Sequence, residues 1–285
     1  MASGEPSTHI ARWAGCNHMP KTMNYHSAYA ELYQREGMSG ESYDRSLANR
    51  FELTIFRLES AILKDIFRRL RSSDPETAYL DYACGTGRII SLFGDLIRTK
   101  VGVDTSAGQL AIARQKAPDA EFLQGNVVTN PDLLGSRRFD LVTAFRLLLN
   151  LEPQNRAPIL GALADRLAQD GYLVVDNHMN RHSVLGLAAL FANKVLGIPK
   201  KPVMQPGRRG IISTMSEFEM RRVLAEAGLE AVEVHRIFVL PGHNHLQLLP
   251  TRWLVSVETL LSRVPGLNRM AKNQIYVCRR IQPPR

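Results

Sequence analysis

The stretch Tyr79-Leu80-Asp81-Tyr82-Ala83-Cys84-Gly85-Thr86-Gly87-Arg88, followed by Val101-Gly102-Val103-Asp104, decides how the rest of the chain is read. A short apolar run ends in an acid, and the small residues after it let backbone approach a ligand closely. The pattern predicts a strand, a tight turn and a helix that begins at once, its N–H groups facing that ligand. A second strand ends in Asp104, about 20 residues past the turn, where a carboxylate can accept hydrogen bonds from both hydroxyls of a ribose. A dinucleotide fingerprint, G-x-G-x-x-G, would need glycine at position 90 after Gly85 and Gly87, and Ile90 stands there. What remains is acid-x-small-x-Gly-x-Gly.

Outward from this stretch, strands and helices alternate. Phe122-Leu123-Gln124-Gly125-Asn126-Val127 closes a third strand and Phe139-Asp140-Leu141-Val142-Thr143-Ala144-Phe145 forms a fourth. Helices are expected at 106–117 and 153–168, with a fifth strand over 171–177. Such alternation implies a parallel sheet wrapped on both faces. Upstream, 25–35 and 46–71 read as helices, the second with Phe51, Ile55, Leu58, Ile62, Ile66 and Leu70 at three- and four-residue spacing. Ser72-Ser73-Asp74-Pro75 stops it. Past the fifth strand come a helix at 216–227 that Ser216 could cap, a strand at 230–240, a loop at 241–250, a helix at 251–264 and a last strand at 274–280.

Asp81 through Gly87 resembles motif I of the class I S-adenosylmethionine-dependent methyltransferases, and the likeness runs from about Leu80 to Met179. It implies a Rossmann-like, seven-stranded, mostly parallel α/β sheet with helices on both faces, in which Ile275-Tyr276-Val277-Cys278 is the antiparallel seventh strand. The acid Asp81 suits a cofactor with an amino group and no phosphates. By the same likeness Ala83, Cys84, Gly85 and Gly87 line the methionine and ribose part of S-adenosylmethionine, and Asp104 with Thr105 holds the ribose. Asn126 and Val127 meet the adenine, Asn126 accepting from its amino group through the amide oxygen. Phe145 and Arg146 supply the backbone that meets the methionine amine. Tyr43, in a segment that in similar enzymes folds over the cofactor, covers its methionine end. Ala83 stands where glycine is commoner, and Asn126 where aspartate is.

The organisation expected is a flexible tail at 1–22, an N-terminal helical cap at 23–73 and a methyltransferase core at 74–285. Insertions at 179–213 and 241–273 lie on the substrate side. The cap and both insertions are expected over the carboxyl ends of the strands, where open α/β sheets bind ligands. Val184, Leu185, Leu187, Ala188, Leu190 and Phe191 suit a hydrophobic pocket wall, a dimer contact or simple core.

Methyl transfer from a sulfonium is an in-line displacement, which asks for alignment and exclusion of water. A hydroxyl acceptor must also lose a proton, and histidine suits that task at neutral pH. His178 and His182 follow the fifth strand, and His243 and His245 lie in the 241–250 loop. His178 is the first candidate base.

Bulk properties bound the rest. The 285 residues, 45% of them hydrophobic, suffice for one large domain with insertions. Cys16, Cys84 and Cys278 lack disulfide or metal-ligand spacing, so no metal is expected and a reducing cytoplasm fits. No signal peptide or transmembrane run stands out. A net charge of +9, densest over 194–209, allows an anionic acceptor or peripheral membrane contact. Nucleic acid is disfavoured: Phe145-Arg146-Leu147-Leu148 stands where amino-directed enzymes carry (Asn or Asp)-Pro-Pro-aromatic, and no cysteine follows a proline. The expected partner is a small-molecule acceptor, hydrophobic or anionic, and a homodimer is possible. An RNA methyltransferase and a non-catalytic cofactor-binding subunit are the alternatives.

Overall fold

The computed structural model describes residues 50–70, 76–196, 214–240 and 250–282. Seven strands form one sheet: β1 (Ala78–Tyr82), β2 (Thr99–Asp104), β3 (Glu121–Gln124), β4 (Phe139–Ala144), β5 (Leu167–Asn177), β6 (Leu229–Ile237) and β7 (Asn273–Arg280). Their order is β3-β2-β1-β4-β5-β7-β6. The first five are mutually parallel, and β7 runs antiparallel between β5 and β6. The chain reverses direction of travel across the sheet at β1 and β4, so the carboxyl ends of these two strands flank the crevice where such sheets bind ligands.

Six α-helices accompany the sheet among the described residues: α1 (Arg50–Leu70), α2 (Ala107–Lys116), α3 (Pro153–Ala164), α4 (Val184–Val195), α5 (Glu217–Glu226) and α6 (Thr251–Leu261). Strand residues alternate between faces, and two cores follow. On one face Leu80, Val101, Val103, Val142, Leu173 and Val175 pack with Ile159, Leu160 and Leu163 of α3 and Met220 and Leu224 of α5. On the other, Tyr79, Leu141, Val174, Ile275 and Val277 pack with α1 through Ile55, Leu58, Leu63, Ile66 and Phe67. Ser106 caps α2, and Ser216 with Glu219 forms a reciprocal capping box on α5.

Three expectations need correction. No α-helix follows the glycine-rich turn; Ile90–Leu92 and Gly94–Leu96 are short 3-10 turns. The Ile90 N–H is drawn to Asp81 Oδ2 (3.1 Å), and glycine at 94, with φ +35°, disfavours a continuous helix there. Consequently α1, expected as a cap over the strand ends, lies along the sheet face that this missing helix would have covered, and only its Glu52–Glu59 half reaches the ligand edge. Lastly, α3 ends at Ala164 and β5 begins at Leu167, earlier than the apolar run at 171, with an irregular register between Phe139 and Leu141.

The expected helix at 25–35, and the greater part of the 194–209 basic segment, fall outside the described residues. In α4 the apolar positions Leu185, Leu187 and Phe191 are exposed, so it contributes little to the core. Among the described residues no helix is long and apolar enough to cross a membrane.

Candidate active site

The turn after β1 holds three positive φ angles in five residues: Ala83 (+56°), Gly85 (+55°) and Gly87 (+76°). Glycine visits this region freely, whereas alanine does so at a cost of roughly 1 kcal/mol. The turn is tied on both sides. Cys84 N–H donates to Val103 O (3.0 Å), Gly87 N–H to Cys84 O (2.9 Å), and Gly85 N–H to Asp104 Oδ2 (2.9 Å). At Gly85 a Cβ would stand 2.7 Å from Gln109 Oε1, and at Gly87 it would meet Ala113 at 3.0–3.1 Å.

Asp81 works from inside. Its Oδ1 accepts from the Thr143 hydroxyl (2.7 Å), which itself accepts from Tyr79 (2.6 Å), and its Oδ2 accepts from Ile90 N–H. Burial pushes its carboxyl up to about 7, against the pull of those donors. Asp81 thus fixes the turn from within. Cys84 is likewise buried, its Sγ beside Gly102 and its thiol pushed well above its usual range by burial.

Asp104 sits at the carboxyl end of β2 with Oδ1 accepting from Ser106 N–H (2.9 Å) and Oδ2 from Gly85 N–H. The Thr105 N–H also bonds this carboxylate, and its remaining lone-pair capacity can take a ribose hydroxyl. Next to it, Thr105 O accepts from Gln124 Nε2 (3.1 Å). Asn126 is more constrained. Its Oδ1 accepts from the Tyr82 hydroxyl (2.9 Å) and Val128 N–H (2.9 Å). Val127 beside it is buried in the core.

At the end of β4, Phe145 is buried and Arg146 has φ +56°. The Arg146 N–H donates to Asp176 Oδ1 (2.7 Å), its carbonyl accepts from Asn150 Nδ2 (2.7 Å), and its guanidinium pairs with Glu52 of α1. Burial works to raise the Glu52 carboxyl, yet Arg146 brings it below the usual range.

His178, the first candidate base, is buried at the end of β5 with Nδ1 3.1 Å from Asn273 Nδ2 and 3.7 Å from Asp176 Oδ2. Glu59 of α1 completes a cluster whose ligand atoms lie within 4.8 Å of one another. Glu59 Oε2 receives Arg88 Nη1 (3.2 Å), and Arg88 stacks over Phe56. Two carboxylate oxygens in this cluster, Glu59 Oε1 and Asp176 Oδ2, are buried without a hydrogen-bond partner among the described residues. Burial, and then the charge of Glu59, push the Asp176 carboxyl up to about 7. Lys272, brought near by β7, is pulled down to about 8 by burial.

Of the other candidate histidines, only His182 is described, and it is not gathered here. His182 is exposed, and its backbone N–H donates to Asn180 Oδ1 (3.0 Å). Tyr43, His243 and His245 fall outside the described residues. Sequence reasoning missed Glu59, Arg88, Asp176, Asn273 and Lys272. Asp176 had a signal, since it stands two residues before His178 at a strand end. Glu59 had none, because an amphipathic pattern counts apolar positions and passes over an acid beside the stripe.

Residues 80–171 match the family described as "Methyltransferase domain". The chain is 32% identical over 158 residues to the dTDP-3-amino-3,6-dideoxy-alpha-D-glucopyranose N,N-dimethyltransferase of Streptomyces fradiae, covering 54% of each. It is 31% identical over 103 residues to a ubiquinone/menaquinone biosynthesis C-methyltransferase of Campylobacter jejuni, covering 33% of this chain and 42% of that one. The chain thus spans about half the length of the curated relatives it matches. Among solved structures, magnesium protoporphyrin IX methyltransferase from Synechocystis PCC 6803 with bound SAH superimposes with a TM-score of 0.59 at 14% identity, over 90% of this chain and all of that one.

Proposed function

From a chain that carries a class I S-adenosylmethionine-dependent methyltransferase domain, we propose an enzyme that moves a methyl group from S-adenosylmethionine to a hydroxyl or amine of a small molecule. Natural-product scaffolds, sugars and glycolipid precursors are the acceptor classes in view. The observation that carries this reading is the pairing of the Ala83–Gly87 turn with Asp104, whose carboxylate bonds Gly85 N–H and keeps acceptor capacity. The similarity to an amino-sugar methyltransferase supports a small acceptor.

The residues fit the cofactor. Gly85 and Gly87 hold the turn in left-handed conformations where a side chain would press on Gln109 or Ala113, and the proposed role of Asp104 is to accept from ribose hydroxyls. Asn126 and Val127 border the adenine position, and Phe145 and Arg146 the methionine end. The cofactor supplies an electrophilic methyl group on a sulfonium. The protein's share is to align the acceptor, exclude water and remove a proton. Buried beside Asp176, His178 is suited to that last task, and the N-terminal segment and the 179–213 and 241–273 insertions are proposed as the acceptor-side walls. Two buried thiols, Cys84 and Cys278, suit a reducing cytoplasm.

Incubating the full chain with methyl-labelled cofactor, a small-molecule panel and total RNA tests the reading. Label is expected in a small molecule. Label confined to RNA would replace it with the nucleic-acid alternative, and cofactor binding with no transfer at all would favour a non-catalytic subunit.

A further inference from the structure

We propose that Glu59 and Asp176 form a binding site for a protonated amine, and that this amine is the methyl-accepting group of the substrate. The inference rests on the methyltransferase reading above and narrows it from hydroxyl-or-amine to amine.

The argument begins with two oxygens. Glu59 and Asp176 are 1% and 2% exposed, and Glu59 Oε1 and Asp176 Oδ2 find no donor among the described residues. A buried carboxylate oxygen without a donor is costly, and native interiors rarely leave one so. Each acid has its other oxygen engaged, Glu59 Oε2 by Arg88 and Asp176 Oδ1 by the Arg146 N–H. Those bonds orient the carboxylates, and Glu59 from α1, Asp176 from β5 and His178 after it each bring one ligand atom within 4.8 Å of the others.

Spacing and charge bear on what could fill this space. Around an ammonium nitrogen, acceptors lie about 2.8 Å away in tetrahedral directions, which sets them about 4.5 Å apart. Around a metal ion at about 2.1 Å, neighbouring ligand atoms are only about 3–3.4 Å apart. Asp176 Oδ2 and His178 Nδ1 are 3.7 Å apart, and all three ligand atoms fall within 4.8 Å. The one separation of 3.7 Å lies between the two values, so charge makes the choice. Arg88 and Arg146 also act on Asp176, so a divalent ion would meet more like-charge repulsion than a single positive charge.

The site then does chemistry as well as binding. An ammonium cannot attack a methyl group, because its nitrogen has no lone pair. Asp176 Oδ2 takes one proton, and the freed lone pair forms the N–C bond. The C–S bond to the methyl group breaks with its electrons remaining on sulfur. The products are a methylammonium and the uncharged thioether, and the proton on Asp176 passes to solvent. Glu59, oriented by Arg88, holds the amine throughout.

The competing occupant of the space is a proton shared between the two acids, which would satisfy both oxygens with no ligand. Paired acceptors that differ only in nitrogen for oxygen separate the two: tyramine and tyrosol, glucosamine 1-phosphate and glucose 1-phosphate, and dTDP-3-amino-3,6-dideoxyglucose and dTDP-6-deoxyglucose. With labelled cofactor, wild-type protein is expected to methylate nitrogen in at least one pair and oxygen in none. Glu59→Gln, which keeps an oxygen for Arg88, is expected to lower kcat/KM for that amine at least 100-fold, largely through KM. Its affinity for S-adenosylhomocysteine, read by calorimetry, should stay within twofold. Methylation of a hydroxyl, an amine rate unchanged in Glu59→Gln, or no amine methylated while S-adenosylhomocysteine binds would each overturn the proposal. Failure of S-adenosylhomocysteine to bind wild-type protein would instead bring down the reading beneath it. Should Glu59→Gln not fold, the wild-type nitrogen-against-oxygen comparison decides alone.

Discussion

Gly87 is the position where a single methyl group should be felt most. Its φ of +76° is strained for any L side chain, and an added Cβ would press on Ala113 Cβ and Cα at 3.0 and 3.1 Å. Gly87→Ala is therefore expected to lower unfolding free energy by about 1–3 kcal/mol, measured by urea denaturation. Wild-type stability in that variant would mean that the turn relaxes at no cost. Asp176 makes a second residue-scale prediction through its raised carboxyl. The folded state holds its proton up to about pH 7 while the unfolded chain releases it near 3.8. Wild-type stability attributable to this group is thus greatest below pH 4 and falls as pH rises through the interval. Glu59, Arg88, Arg146 and His178 face it, and all remain in Asp176→Asn. The stability of Asp176→Asn relative to wild type should rise between pH 4 and pH 7, by about 2–4 kcal/mol in all, and level off above. A difference that is flat across this range, followed by thermal melts at each pH, would show that Asp176 ionises normally.

At the scale of elements, the absence of an α-helix between β1 and β2 transfers its covering role to α1. Leu63 and Ile66 are 1% exposed against that sheet face, where Tyr79 and Phe67 meet Phe93 at ring distances of 4.9 and 5.4 Å. Leu63→Ala should cost about 2–5 kcal/mol, as a core substitution does. A loss under about 1 kcal/mol would mean that α1 packs only loosely on the sheet. The helix also carries function into the core, since its ligand-edge half bears Glu52 against Arg146 and Glu59 against Arg88. Anything that loosens α1 therefore disturbs the acceptor side of the site together with stability.

For the whole molecule, a parallel sheet wrapped on both faces was legible because apolar runs ending at Asp81, Asp104, Asn126 and Phe145 alternate with helical segments; the antiparallel seventh strand came from the family resemblance, and the order β3-β2-β1-β4-β5-β7-β6 from the structure. The turn was legible because Gly85 and Gly87 leave few alternatives. Less legible was anything decided by tertiary contact. Neither the 3-10 turns after Gly87 nor the early start of β5 follows from local propensity. Glu59 and Asp176 are 117 positions apart in the chain, and no spacing in the sequence announces a pair of that kind. Asn126 shows the same limit at finer grain: no spacing announces that Tyr82, from a different strand, donates to its amide oxygen. The account's central claim is that S-adenosylmethionine lies at the carboxyl edge of this sheet, on the turn and Asp104. Isothermal titration of the full chain with S-adenosylhomocysteine tests it most directly. One site per chain is predicted, weakened about 10- to 100-fold in Asp104→Ala with the fold retained by circular dichroism. No binding of S-adenosylhomocysteine, with uptake of a nicotinamide or flavin dinucleotide in its place, would contradict it.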